Sequence, residues 1–144
     1  MNLYADTSAL VKRYVKESGS EQVIEHFDQS PIIGTAALTQ VEMAAAMRKA
    51  LRLGMVEESE IMMAWRDFLS HWPAYIRLPA SAGIVDRAAS LAWNHGLRAY
   101  DSVHLASALS WKDVTGEGVV FACFDKNLVT AAREEGLFVW PEGN

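Results

Sequence analysis

The chain has 144 residues, of which 51% are hydrophobic and 22% charged, and its formal net charge is −5. This composition is typical of a folded protein and excludes intrinsic disorder, and no apolar run approaches the about 20 residues that a membrane span needs. The acidic balance argues against an architectural nucleic-acid binder, and a single cysteine without a basic leader sequence predicts a cytoplasmic protein.

The first elements predicted along the chain are a strand, two helices and a second strand. Residues 2–5 form a short apolar strand that ends at Asp6. The helix after it, capped by Asp6 or Thr7, is expected to run to Gly19. The next residue starts a second helix, whose apolar residues recur at helical spacing. The apolar run at 31–34 predicts a short buried strand.

Two long helices and a third strand follow. Thr39 and Glu42 match a capping box, in which a hydroxyl and a carboxylate satisfy the first free amides of a helix. This helix is expected to reach about residue 53, just before a glycine. A second helix over 57–72 carries an apolar face and ends at a proline. The residues at 75–78 predict a strand.

The last third of the chain contains the strongest strand signal. A helix starts at Ser81 and stops at a glycine, and another is opened by Asp101. The continuous apolar run at 119–124 then predicts a buried strand that ends at Asp125. A short helix and a final strand at 137–140 complete the pattern.

Unbroken apolar strands separated by helices are typical of a parallel sheet that helices cover on both faces. We therefore predict an α/β fold in which a short parallel sheet of four or five strands is flanked by helices. Residues 1–144 are expected to form a single domain. In such sheets, binding and catalytic sites lie beyond the carboxyl ends of the strands.

Four acidic residues fall at these strand ends or at the helix starts near them. They are Asp6, Glu42, Asp101 and Asp125. Each has a purely structural alternative, since a carboxylate at a helix N-terminus caps free amides and interacts well with the helix dipole. Because 18 residues of the chain are acidic, one acid at a strand end means little. Four acids at one edge of a sheet form a candidate site.

A cluster of four carboxylates requires a positive partner. Two carboxylates about 4 Å apart repel by roughly 4 kcal/mol at an effective dielectric constant of about 20, so the cluster must take up protons or a cation. Oxygen ligands favour hard ions such as Mg²⁺ or Mn²⁺. These ions activate water and stabilise charge on a phosphodiester, which would let an acidic protein act on RNA or DNA.

Four segments around the acids resemble, in order and spacing, the motifs of the PIN-domain superfamily. The segments are YADTSALVK, TQVEMAAA, AYDSVHLASAL and FACFDKNL. The resemblance extends from residue 2 to residue 140 and is strongest to VapC-type toxins of toxin–antitoxin pairs. It implies a Mg²⁺-dependent endoribonuclease of RNA that is inhibited by a small antitoxin protein and is commonly a homodimer.

By motif position, the resemblance assigns the catalytic and metal-binding site to the four acids and one hydroxyl. The acids are Asp6, Glu42, Asp101 and Asp125. The hydroxyl belongs to Ser8 or Thr7, and Ser8, two residues after the first acid, is preferred. Cys123 is a departure, because the family often has Thr, Ser or Asn two residues before the last acid. A thiol is a poorer hydrogen-bond partner, which weakens the expected support of Asp125.

Two other functions are compatible with the sequence. A PIN-like nuclease that processes RNA or cuts structured DNA would keep the same acids, whereas a catalytically silent binding module would use them only as helix caps. His104, three residues after Asp101, is expected to be a packed or capping histidine, with a hydrogen bond near the site as the alternative. The histidines have no zinc-binding spacing, and no nucleotide-binding loop occurs.

Three surface features are candidates for partner contacts. The apolar face of the 57–72 helix is expected to lie in the core or in a dimer interface, or to receive an antitoxin segment. Two basic groups near the acids are expected to lie on solvated helix faces, with guidance of a phosphate backbone as the alternative. The groups are Lys12, Arg13 and Lys16, and Arg48, Lys49 and Arg52.

Overall fold

A computed structural model describes residues 1–143 and shows helices alternating with short strands. The strands are β1 (Asn2–Ala5), β2 (Ile33–Ala36), β3 (Ile76–Leu78), β4 (Val119–Ala122) and β5 (Phe138–Trp140). The helices are α1 (Thr7–Tyr14), α2 (Ser20–Asp28), α3 (Thr39–Arg52), α4 (Glu58–His71), α5 (Ala82–His95), α6 (Ala99–Thr115) and α7 (Lys126–Glu134), with a 3₁₀ turn at Trp72–Ala74. The predicted α/β class is confirmed.

The five strands form one parallel sheet in the order β3-β2-β1-β4-β5. The first strand of the chain is therefore the central one, and all four of its residues are buried. Tyr4 pairs with Gly34 on one side and with Phe121 on the other. Because parallel strands point the same way, their carboxyl ends all lie at one edge of the sheet.

Helices pack on both faces of the sheet and give each face its own hydrophobic core. One core contains Leu105 of α6 and Leu128 of α7, together with the residues of α5 that face the sheet. The other contains Leu10 of α1 and Phe68 of α4, together with residues of α2 and α3. Among the described residues, no helix is both long and apolar enough to cross a bilayer.

The predicted apolar face of α4 is split between core and surface. Phe68 is fully buried, whereas Met62 and Met63 are 59% and 62% exposed. Met62 also lines an apolar groove between α3 and α4, opposite Met47 and Leu51. One part of this face therefore packs in the core, and the other part forms an exposed apolar surface.

The first helix is shorter than predicted. It ends at Tyr14 rather than at Gly19, because the Ser20 hydroxyl donates to the carbonyl of Val15 and accepts from the amide of Glu17. These two bonds turn the chain before α2 begins. Side-chain hydrogen bonds of serine often compete with helical ones in this way.

The second strand lies two residues later than predicted, at Ile33–Ala36 instead of 31–34. Pro31 has no amide hydrogen to donate to a neighbouring strand, so the prediction started the strand too early. The later residues Thr35 and Ala36 are buried although they are not strongly apolar. The Thr35 hydroxyl is satisfied by the carbonyl of Ala5, 2.7 Å away.

The predicted capping box at Thr39 and Glu42 is wrong. The N-cap of α3 is Leu38, and no side chain caps this end of the helix. Thr39 is fully buried and its hydroxyl pairs with that of Thr35 at 2.8 Å. The carboxylate of Glu42 turns away from its own helix, so both side chains follow tertiary contacts instead of the local pattern.

Gly34 is expected to be intolerant of any side chain. A methyl group at this position would lie 2.6 Å from the ring of Trp111 on α6, so we predict that Gly34→Ala destabilises the fold by about 1–3 kcal/mol through overpacking. Gly83, on the open side of α5, has nothing within 4 Å. Gly83→Ala should stabilise by about 0.5–1 kcal/mol. Urea unfolding of both variants measures the contrast, and equal stability for Gly34→Ala and the parent would contradict it.

Candidate active site

The four acidic residues lie at the carboxyl edge of the sheet. Asp6 directly follows β1, and its amide donates to the carbonyl of Ala122, the last residue of β4, at 3.1 Å. Asp125 comes after that strand and is the N-cap of α7. Glu42 and Asp101 lie in the first turns of α3 and α6. The parallel topology thus carries acids from both ends of the chain to one edge.

Asp6 is the most deeply buried of the four, with 3% of the residue exposed. Its Oδ1 accepts from the hydroxyl of Ser8 at 2.7 Å and from the amide of Ala9 at 3.0 Å, as expected of the N-cap of α1. Its Oδ2 accepts from the thiol of Cys123 at 3.1 Å. Burial raises the pKa of the Asp6 carboxyl above its ordinary value, although these donors and the nearby His104 act to lower it.

Glu42 is held through a single carboxylate oxygen. Its Oε1 accepts from the hydroxyl of Thr7 at 2.8 Å and lies 2.7 Å from Nε2 of His104. Burial acts to raise the pKa of the Glu42 carboxyl, but the hydrogen bond and charge of His104, with the bond from Thr7, outweigh it. The pKa therefore lies below its ordinary value, and Glu42 is an anion at neutral pH.

Asp101 and Asp125 are joined by Arg98, the N-cap residue of α6. The guanidinium Nε lies 3.0 Å from Oδ2 of Asp101, and Nη2 lies 3.2 Å from Oδ2 of Asp125. The other oxygen of Asp125 accepts from the amide of Leu128 at 3.0 Å and so caps α7. The arginine side chain is itself 79% exposed. One exposed cationic group thus compensates two of the four acids.

The acids are gathered at one edge but do not form a ready-made metal cluster. Within residues 1–143, no group of three or more His, Cys, Asp or Glu side chains is arranged to hold a metal ion. The donor chemistry does fit a hard divalent cation, because all four acids offer carboxylate oxygens. The Arg98 guanidinium stands between Asp101 and Asp125 as a positive charge. A cation bound to both aspartates would have to displace it.

Each of the two candidate hydroxyls donates a hydrogen bond to a different acid. Ser8 donates to Asp6 and also accepts from the amide of Phe124 at 3.0 Å, which ties α1 to the end of β4. Thr7 instead donates to Glu42. The preferred residue, Ser8, is therefore the one that holds the first acid of the chain.

Cys123 contacts the carboxylate of Asp6 and the backbone of Asp125. Burial raises the pKa of its thiol, with the charge of Asp6 adding to the effect, so the group is protonated and able to donate. The backbone amide of Asp125 in turn donates to the sulfur at 3.4 Å. The thiol thus replaces the expected hydroxyl or amide as a link between the two aspartates.

Two residues at this edge were not predicted as site residues. His104, which the sequence predicts to be a packing residue, contacts Glu42, and Arg98, which the sequence does not single out, contacts Asp101. Both are separated from Asp101 by three residues, a spacing that puts helical side chains side by side. That spacing is the only local signal for these two residues, since a position on a helix does not show which partner a side chain contacts.

Two members of the first basic group are half-buried and paired within the protein, whereas the third, Lys16, is exposed. Lys12 pairs with Glu17 and lies over the ring of Phe124, while Arg13 donates to Tyr75 and Asp28. The second group, on α3, is exposed to solvent. The second group, at 48–52, and Lys16 match the expected solvated face, whereas Lys12 and Arg13 do not.

The sequence matches the PIN domain family over residues 3–134. Ribonuclease VapC45 of Mycobacterium tuberculosis (strain CDC 1551 / Oshkosh) is 36% identical over 139 residues, which make up 96% of this chain and 94% of the relative. The match therefore covers all four acids and nearly the full length of both proteins.

Solved structures with much lower identity share the fold. VapBC2 from Rickettsia felis, bound to a DNA fragment from its promoter, superposes with a TM-score of 0.64 at 13% identity over 96% of this chain and 97% of that one. A toxin–antitoxin complex from Klebsiella pneumoniae gives a TM-score of 0.54 at 16% identity over 83% and 84% of the two chains. At these identities the likeness extends to the fold alone.

Removal of the buried charge of Asp6 is expected to stabilise the protein. Because burial raises the pKa of Asp6 in the folded state, the ionised form costs stability above that pKa, and the cost disappears as the pH falls below the ordinary carboxyl value. We predict that Asp6→Asn raises Tm at pH 7 by about 2–4 °C, the shift that about 1 kcal/mol produces in a chain of similar size. Thermal melts from pH 7 to pH 3 should show the gap closing. The exposed Asp86→Asn is the matched control, and a Tm below that of the parent would contradict the prediction.

Proposed function

Because the chain belongs to the PIN domain family, we propose that it is a divalent-cation-dependent endoribonuclease and the toxin of a toxin–antitoxin pair. The name of the relative, a ribonuclease at 36% identity over nearly the whole chain, supports the reaction class. The observation that carries the proposal is the convergence of four carboxylates at one edge of the sheet, with an exposed arginine as the countercharge of two of them.

In this proposal, Asp6, Glu42, Asp101 and Asp125 hold the cation, Mg²⁺ by preference with Mn²⁺ able to substitute. When bound, the cation lowers the pKa of water and stabilises negative charge on the RNA phosphodiester. The protein supplies the fixed geometry. Ser8, the amide of Ala9 and the thiol of Cys123 orient the carboxylate of Asp6.

Once displaced from the two aspartates, Arg98 is positioned to contact substrate. Its side chain is 79% exposed and starts at the N-terminus of α6, beside the acids. A guanidinium offers a planar set of donors that fits phosphate oxygens. The same residue would therefore balance the acids without a cation and bind the RNA backbone with one.

We assign the antitoxin to the apolar groove between α3 and α4. The groove has a volume of about 220 Å³ and its lining combines apolar residues with one charged side chain, Arg48. Amphipathic segments bind such grooves through apolar anchors. The name of the Klebsiella pneumoniae structure, a toxin–antitoxin complex, supports a partner of this class. We further propose that residues 1–144 act as one domain, in the cytoplasm and as a homodimer.

Loss of one outer acid tests the proposed reaction. Asp101→Asn should reduce cleavage of a labelled single-stranded RNA in the presence of Mn²⁺ by more than the about 10–100-fold typical of residues that only support metal ligands. The fold should be preserved, since the partner of Asp101 is an exposed arginine. Asp113→Asn, an exposed acid in the last turns of the same helix, is the control and should cleave normally.

The parent protein must also melt at a higher temperature with Mn²⁺ than without it, because a ligand that binds only the folded state stabilises it. A protein whose acids serve only as helix caps would show neither the shift nor cleavage. Normal cleavage by Asp101→Asn would remove this acid from the proposed site.

The role of Arg98 as a countercharge predicts a gain in cation affinity on its removal. Arg98→Ala should bind Mn²⁺ about two- to fivefold more tightly, since the cation no longer competes with two exposed ion pairs of ordinary strength. Calorimetric titration of Mn²⁺ measures the change. Arg87→Ala, which removes a similar exposed pair with Asp113, is the control and should leave the affinity unchanged. Weaker binding by Arg98→Ala would contradict the prediction.

A further inference from the structure

We infer that His104 is a positioning residue of the active site, which fixes Glu42 by one carboxylate oxygen and leaves the other oxygen for the cation. The inference rests on the proposed function, because it gives Glu42 the role of a metal ligand. It adds a chain of contacts that begins in the centre of the sheet and ends at the acids. The members of this chain are Tyr4, His104 and Glu42.

His104 has a partner at each ring nitrogen. Nδ1 lies 2.8 Å from the hydroxyl of Tyr4, and Nε2 lies 2.7 Å from Oε1 of Glu42. The side chain is 3% exposed, and the ring also meets that of Tyr4 edge-on, with centroids 5.9 Å apart. A rotation of the ring would break both hydrogen bonds in a place that water does not reach. The orientation of the imidazole is therefore set by the core.

The direction of the hydrogen bond to Glu42 follows from the chemistry of its partners. An ionised carboxylate only accepts hydrogen bonds, so Nε2 of His104 must carry the hydrogen. Tyr4 is buried, and burial keeps its phenol protonated by raising its pKa. The phenol can then donate to Nδ1, which leaves Nε2 as the donor of a neutral imidazole. In the imidazolium form Nε2 also donates, so the contact with Glu42 has the same direction in both states.

The two donors that reach Glu42 converge on the same atom. Thr7 and His104 both contact Oε1, and no residue of the described chain donates to Oε2. Thr7 lies next to Asp6 at the start of α1, so the shared oxygen is tied to the same short segment as the first acid. The free oxygen is the one available to a cation at this edge.

A packing role alone does not account for this arrangement. His104 and Tyr4 lie in the apolar core beneath α6, where Leu105 and Phe121 are fully buried. A buried imidazole costs free energy unless both its nitrogens are satisfied, and an apolar side chain would fill the same space without that requirement. The hydrogen bond between His104 and Glu42 accounts for a polar pair at this position.

Two substitutions of His104 distinguish the effect of its hydrogen bond to Glu42 from the effect of its packing in the core. His104→Leu keeps an apolar side chain in the core and removes the hydrogen bond to Glu42. His104→Gln offers an amide N–H near the position of Nε2 and restores it. Residues that orient metal ligands typically contribute about 10–100-fold to metal affinity or activity. We therefore expect His104→Leu to lower kcat and Mn²⁺ affinity within that range, with little change in KM for RNA.

The other variants set the scale of the effect. His104→Gln should recover most of the loss, and Tyr4→Phe, which keeps the ring but not the hydroxyl, should show a smaller loss of the same kind. Leu109→Ala removes a buried side chain from α6 without touching the acids. It should lower Tm while kcat and Mn²⁺ affinity stay at the parent values.

Each outcome decides between distinct explanations. If the parent protein neither binds Mn²⁺ nor cleaves RNA, the proposed function fails and the role of His104 fails with it. If the parent does both and His104→Leu retains both, only the positioning role is wrong. The role is also overturned if His104→Gln is as impaired as His104→Leu, or if Leu109→Ala loses kcat to the same extent.

Discussion

Charge compensation at the carboxyl edge of the sheet is the constraint on which the rest of the structure depends. A parallel sheet delivers Asp6 and Asp125 to the same edge, and helix starts add two further acids. The protein stabilises these anions with three different kinds of group: short-range donors around Asp6, an imidazole and a hydroxyl at Glu42, and a guanidinium at the outer pair. These groups offset part of the cost of gathering the acids, and one of them, the guanidinium of Arg98, is largely exposed to solvent.

The sheet could be predicted from the sequence because its strands are encoded locally. β1 and β4 are apolar runs that stop at or near an acid, and the rule that sites lie beyond strand ends then indicates the edge at which the structure places the four acids. The contacts of the acids could not be predicted in this way. His104 is 62 residues from Glu42, and Arg98 is 27 residues from Asp125. A single sequence does not reveal such pairs.

The contacts near the acids that the sequence does not predict share one physical cause. At Thr39 and Glu42, a local motif that usually caps a helix is overridden by partners on other elements, Thr35 for the hydroxyl and Thr7 for the carboxylate. At Cys123, the thiol reaches only the backbone of Asp125, in line with the expected weak support, but its bond to the carboxylate of Asp6 is not visible in the local pattern. In each case, a side chain near the acids contacts a residue from another element of the fold. Local sequence patterns are therefore least informative around the candidate site.

The central position of the first strand has a consequence for folding during synthesis of the chain. Asn2 of β1 pairs with Val119 of β4, so the middle of the sheet is completed only when the last quarter of the chain has been made. Such long-range pairing is slow to form and comes late in folding. A nascent chain that has not been extended past β4 lacks Asp125, and it cannot assemble the acidic edge. The proposed site therefore cannot form until translation is almost finished.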